Sequence, residues 1–143
     1  MKISTKGRYG LRAMIDLAIH CDEGYVPLAS ISERQDLSLN YLESIFAYLK
    51  RAGLVTGIAG AQGGYVLSRP ADKISLLNIL SVLEGDMSVY DSVGDETKIR
   101  SFLNRNVWES IDQNVNKVLT GTTLKDVMEE IKTQCLSNDC SGL

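Results

Sequence analysis

The chain has 143 residues, 44% of them hydrophobic, which is enough for one compact unit or a small domain with an extension and no more. No apolar run approaches the roughly 18 residues that a membrane span needs. Lys2, Lys6, Arg8 and Arg12 lead into an amphipathic segment instead of the apolar core of an export signal, so a cytoplasmic protein without membrane contact is expected. A net charge of −3 weighs mildly against nucleic acid, but the charge is unevenly spread. Up to Ser75 nine Lys or Arg face seven Asp or Glu, net +2, and from Leu76 onward six face eleven, net −5. The first half can face phosphate; the second is poorly suited to it.

In chain order, a first helix is expected from about Arg8 to Asp22, with Leu11, Met14, Ile15 and Ala18 as its buried stripe and Cys21 one turn further along the same face. Cys21 reads as a small core residue. His20, near Asp16, reads as a surface or packing residue. As the single histidine, with no third group implied by spacing, it makes a poor basis for catalysis, and an enzyme is not expected. Gly24 to Pro27 ends this helix. A short second helix over 28–35 turns Leu28 and Ile31 inward, with Leu37 just beyond its end.

The stretch 36–69, DLSLNYLESIFAYLKRAGLVTGIAGAQGGYVLSR, reads as a helix followed by a glycine-turned hairpin. Leu42, Ile45, Phe46 and Leu49 fall at helical spacing on one apolar face, Ser38 is placed to cap the start, and Gly53 to stop the end. The other side carries Asn40, Glu43, Ser44 and Arg51, which suits a helix lodged in a major groove. Leu54, Val55 and Ile58 then make a strand, Gly60 to Gly64 a turn, and Tyr65, Val66 and Leu67 the return strand. The glycines match neither a phosphate loop nor a dinucleotide fingerprint; reversing a hairpin is their default role.

Ser75 caps a fourth helix with Leu76, Ile79, Leu80 and Leu83 on its apolar face, and Gly85 stops it. A loop over 86–94 marks a domain boundary. From about Asp95 to Thr120 one long helix is expected, its Ile99, Phe102, Leu103, Val107, Trp108, Ile111, Val115, Val118 and Leu119 recurring at threes and fours. Such a helix needs a partner face, supplied by a second copy or by its own domain. Thr123 and Asp126 form a capping box for a last helix through about Thr133, striped by Leu124, Val127, Met128 and Ile131. The remainder, CLSNDCSGL over 135–143, is polar and reads as a flexible tail.

The motifs STKGRYGLRAMIDLA, LSLNYLESIFAYLKRAGLV, GGYVLSRP and ILSVLEG, in that order, resemble the Rrf-two family of bacterial winged-helix regulators. The likeness is close over 1–85 and looser to Val127. It implies a mainly α fold with a small β-wing: a winged helix-turn-helix DNA-binding domain over 1–85, dimerisation helices over 86–134, and a homodimeric transcription factor, commonly a repressor, on a partly palindromic double-stranded operator. By the same resemblance Lys6, Arg8 and Tyr9 lie against the phosphate backbone. Ser38, Asn40, Tyr41, Glu43 and Ser44 make groove and flanking contacts, Lys50 and Arg51 reach backbone, and Gly60 and Gln62 stand at the wing tip. Asn can read adenine and Glu can accept from the cytosine amine, while Tyr41 has packing as its alternative. Ile99, Phe102, Leu103, Trp108, Ile111 and Val115 would pair the subunits, with Trp108 as anchor.

Two departures matter. Family members usually carry Arg before the first wing glycine, where it reads minor-groove width; here that residue is Ala59. Cluster-binding members carry three closely spaced cysteines after the winged domain, and this chain has none between Asp22 and Gln134. No metal or cofactor is therefore expected. The chain tilts toward the cluster-less repressors of cysteine metabolism, for which the resemblance implies a partner enzyme of cysteine synthesis. Cys135 and Cys140 leave open a redox- or metal-responsive regulator, and the acidic balance with Ala59 leaves open a protein-interaction module without DNA binding.

Overall fold

A computed structural model describes residues 1–90 and 97–137. Along the chain run α1 (Thr5–His20), a 3-10 turn (Cys21–Glu23), α2 (Leu28–Gln35), α3 (Leu39–Arg51), β1 (Val55–Ile58), β2 (Gly64–Leu67), a second 3-10 turn (Ala71–Lys73), α4 (Leu76–Glu84), α5 (Lys98–Leu103), a π-helical segment (Asn104–Trp108), α6 (Glu109–Gly121) and α7 (Leu124–Ser137). The fold is mainly helical with a two-stranded antiparallel wing.

Helix α1 starts three residues earlier than its periodicity predicts, for a reason that local sequence does not show. The Ser4 hydroxyl accepts from the Gly7 amide at 3.3 Å and caps the helix. The Glu84 carboxylate in turn accepts from the Ser4 amide at 2.9 Å and the Ser4 hydroxyl at 2.7 Å. An acid 80 positions away thus anchors the start of α1, where the helix dipole favours negative charge. The buried face is also rotated from the expected stripe. Gly7, Gly10, Ala13, Met14, Leu17 and Ala18 are buried, whereas Leu11 and Ile15 are only half-buried. A Cβ on Gly10 would stand 2.2 Å from the Leu83 side chain, so the two small residues bring α4 close and set the contact line.

On α3 the predicted face holds: Leu42, Ile45, Phe46 and Leu49 are each fully buried. Burying one such side chain stabilises by about 1.5–3 kcal/mol. They pack with Met14, Leu17, Ile31, Val55, Ile74, Ile79 and Leu83 in one core. Between α2 and α3 the chain turns at Asp36, which holds a left-handed conformation (φ 53°), and Leu37 closes the turn from the buried side. The Ser38 hydroxyl accepts from the Tyr41 amide at 3.3 Å and begins α3.

Asp16 is buried within α1 and fully engaged. Arg34 donates to its two oxygens at 3.0 and 2.7 Å, and Gln35 donates at 2.9 Å, which ties α2 to α1. The hydrogen bond to Asp16 holds the Arg34 guanidinium above its ordinary pKa, so its charge persists at any working pH. His20 lies beside this pair, its Nδ1 2.8 Å from the Asp16 carbonyl oxygen and 3.4 Å from its carboxylate. Cys21 is half-buried against the core.

The wing pairs Val55 with Leu67 through Ile58 with Gly64, and Val26 adds a single rung by exchanging two hydrogen bonds with Tyr65 at 2.9 and 2.8 Å. Gly64 is required there. Its φ is 152°, and a Cβ would stand 2.4 Å from the Val26 carbonyl.

Beyond residue 97 the helix runs from Lys98 to Gly121 without leaving helical backbone geometry, interrupted by a π-turn that the apolar spacing did not announce. The expected start at Asp95 lies outside the described residues. The Asp112 carboxylate accepts from the amides of Val89 at 2.8 Å and Tyr90 at 3.1 Å, fastening the connecting segment to α6. The capping box of α7 forms as predicted, with Thr123 and Asp126 exchanging hydrogen bonds at 2.9 and 3.1 Å. Helix α7 then continues to Ser137, past the expected Thr133, and takes Cys135 into its last turn where a tail is predicted. Leu124 is fully buried in the same core as α3.

Candidate nucleic-acid interface

The face of α3 opposite the core is solvent-exposed along its whole length. Asn40, Glu43, Ser44, Ala47, Tyr48, Lys50 and Arg51 all lie on it, while Tyr41 is half-buried at its edge. Asn40 and Glu43 stand in the first helical turns, where a helix entering a groove meets base edges. Tyr41 takes the packing alternative: its ring meets Tyr9 edge-on at 6.0 Å and 85°. That contact places the first turns of α1 against the start of α3 and brings the cations of both helices to one side of the molecule.

The positions of these cations follow from their contacts. Arg8 donates to the Ile3 carbonyl at 3.0 Å, so its side chain covers the N-terminal residues. Lys6 lies over the ring of Tyr48, 3.6 Å from the centroid, and Arg51 lies 5.1 Å from the same ring. Arg12, which the sequence reading passed over, stands 5.4 Å from the Tyr9 ring and donates to the Gln35 carbonyl at the end of α2. The wing tip exposes Ala59, Gly60, Ala61 and Gln62, next to an exposed Ile58. It offers hydrogen bonding through Gln62 and no cation.

Two further residues of this region were missed. Tyr48 falls eight residues after Asn40 and four after Ser44, so polar-face periodicity was sufficient to find it. Glu84, which anchors the start of α1 and thereby Lys6 and Arg8, carried no local signal at all.

On the long helix, Ile99 is 75%, Phe102 62% and Val118 63% exposed, and Ile111 is exposed as well. Leu103, Trp108 and Val115 are half-buried against their own chain. The most projecting apolar side chains of this helix are thus Ile99, Val118 and Phe102, while Trp108, at the end of the π-turn, is half-buried.

Two helices joined by a three-residue turn, the second with a continuous polar face, followed by a hairpin wing, define a winged helix-turn-helix DNA-binding protein. The chain belongs to the Rrf2 family: the family model described as iron-dependent transcriptional regulator matches residues 3–130. It is 46% identical over 127 residues to the HTH-type transcriptional regulator CymR of Bacillus subtilis, covering 89% of each chain. It is 36% identical over 143 residues to the HTH-type transcriptional regulator IscR of Aliivibrio salmonicida, covering 96% of this chain and 83% of that one. The solved structure of CymR, the global cysteine regulator of B. subtilis, superposes with a TM-score of 0.81 at 44% identity, over 91% of this chain and 98% of that one. IscR of T. potens superposes with a TM-score of 0.76 at 43% identity, over 92% and 88%. The protein is a DNA-binding transcriptional regulator, not an enzyme.

Among the described residues the donor set does not fit an iron-sulfur cluster or a resident iron. Residues 22–134 contain no cysteine, and among the described residues no three His, Cys, Asp or Glu side chains gather as a metal site. Cys21 is a free thiol, Cys135 lies in the last turn of α7, and Cys140 lies outside the described residues. Among the described residues no helix is long and apolar enough to cross a membrane.

Proposed function

We propose that this regulator is a cytoplasmic homodimeric repressor of bacterial genes of cysteine and sulfur metabolism, bound to a partly palindromic operator. The observation that carries the DNA-reading assignment is the exposed polar face of α3, which begins with Asn40, Glu43 and Ser44 and lies beside the cations of α1. In this reading residues 1–85 bind DNA and 86–134 pair the subunits. Asn40, Glu43 and Ser44 read bases, with Ser38 and Tyr41 shaping the start of their helix. Lys6, Arg8, Tyr9, Lys50 and Arg51 position the phosphates, and Gly60 and Gln62 approach the minor groove. Ile99, Phe102, Leu103, Trp108, Ile111 and Val115 form the face that a second copy covers. Two-fold pairing would set the recognition helices about one turn of DNA apart, or a multiple of it.

Similarity to a global cysteine regulator, together with the missing cysteine triad, supports the cysteine branch over the iron-sulfur branch. A partner enzyme of cysteine synthesis is the matching route for the signal. Co-purification with that enzyme supports the route; indifference of operator binding to the enzyme removes it.

The central test is selection of bound duplexes from a random pool, followed by titration of the best duplex against salt. A two-fold-symmetric site with a steep salt dependence is the expected result. Failure to enrich any duplex would mean either that binding requires an effector or partner protein, or that the winged fold serves protein contact. Glu43→Ala should relax preference at particular bases, whereas Arg8→Ala should weaken binding to all duplexes and flatten the salt slope.

A further inference from the structure

We infer that Tyr48 is a positioning residue for DNA binding, its ring holding the Lys6 ammonium and the Arg51 guanidinium together as a two-cation seat for one backbone phosphate. The inference rests on α3 being the DNA-facing helix.

Lys6 belongs to the first turns of α1 and Arg51 to the last turn of α3, so nothing local brings them together. The ring does: Lys6 Nζ stands 3.6 Å from its centroid and Arg51 Cζ 5.1 Å. Among the described residues neither cation has a carboxylate partner. Each is attracted by the negative face of the ring, and each repels the other. An arrangement of this kind gains from an anion placed between the two charges.

Two further facts point to phosphate on DNA as that anion. Tyr48 lies on the stripe of Asn40 and Ser44, one to two turns beyond the base-reading positions, where the backbone flanking an occupied groove runs. Its side chain also serves no core purpose. It is 39% exposed, at the edge of the polar face beside Ser44, and is not among the side chains packed on the core. Holding two long side chains against a ring before DNA arrives removes rotamer freedom that binding would otherwise have to remove. The ring is what matters here; the hydroxyl is dispensable.

The test titrates the selected duplex against salt with the full chain, its Tyr48→Phe and Tyr48→Leu variants, Lys6→Gln, and the Lys6→Gln/Tyr48→Leu double variant. Tyr48→Phe should bind like the parent. Tyr48→Leu should bind roughly three- to tenfold more weakly and lower the salt slope by about one unit. Lys6→Gln should cost less in the Leu background than alone. A Leu variant with the parent's affinity and slope, or strictly additive losses, overturns the inference.

A second measurement needs no DNA. The Lys6 ε-methylene protons should be shifted upfield by the ring in the free protein and should lose that shift in Tyr48→Leu; an unshifted parent signal overturns the inference by itself. A parent that binds no duplex sinks the DNA-facing reading of α3 too, whereas a binding parent with an indifferent Leu variant sinks this inference alone.

Discussion

Helix α3 and the long helix from Lys98 to Gly121 carry the same apolar periodicity and end in opposite situations. The stripe of α3 is fully buried within its own chain, whereas Ile99 and Phe102 keep 75% and 62% of their surface in water. Apolar spacing therefore establishes that a helix has a face to cover without saying whose core covers it. Within α3 the cover is α1, α2, α4 and the root of the wing; on the long helix the proposed cover is a second subunit.

This contrast predicts how substitutions divide. Phe46→Ala should destabilise the fold by about 3–5 kcal/mol, measured by denaturant titration, because the cavity it leaves is enclosed on all sides. Arg34→Ala should follow at about 3 kcal/mol, since it strands the buried Asp16 carboxylate. A loss within experimental error would mean that water reaches Asp16 and that α2 is held by packing alone. Phe102→Ala should leave the unfolding of the isolated chain almost unchanged and weaken self-association about tenfold, or ~1.4 kcal/mol, in sedimentation. If sedimentation shows no self-association in the parent, the exposed stripe serves another partner and the comparison fails.

The smallest effect concerns acid. Hydrogen bonds from Thr123, led by its backbone amide, hold the Asp126 carboxyl below its ordinary value of 3.8. The cap is complete above 3.8 and is lost as pH falls below it, through the depressed value. Amide protection at the start of α7, taken relative to the intrinsic exchange rate, should fall over that acid range in the parent and should not change with pH there in Asp126→Asn.

What was legible in sequence was whatever adjacent residues decide. Ser38, Ser75 and Thr123 start their helices as their side chains predict, because a cap bonds within three residues. The helix-turn-helix and the wing followed from apolar spacing and glycines. The start of α1 was misplaced because its anchor, Glu84, lies at the far end of α4. The buried face of α1 was misjudged because glycine counts for little in apolar patterns, although Gly7 and Gly10 decide how near α4 can come. Asp16 was given no structural role because its partners stand 18 and 19 residues away. The π-turn over Asn104–Trp108 left no mark on the apolar spacing, which runs through it at threes and fours.

Leu124 carries a consequence for synthesis. It fills the core of the reading head, its amide donates to the Ile74 carbonyl at 2.9 Å, and the Leu76 amide donates to Thr122 at 2.9 Å. A ribosome delivers the chain from its N-terminus, so the wing and recognition helix emerge first with a hole where Leu124 belongs and with backbone groups at Ile74 and Leu76 lacking their native partners. The core beneath the recognition helix therefore closes only after α7 has emerged.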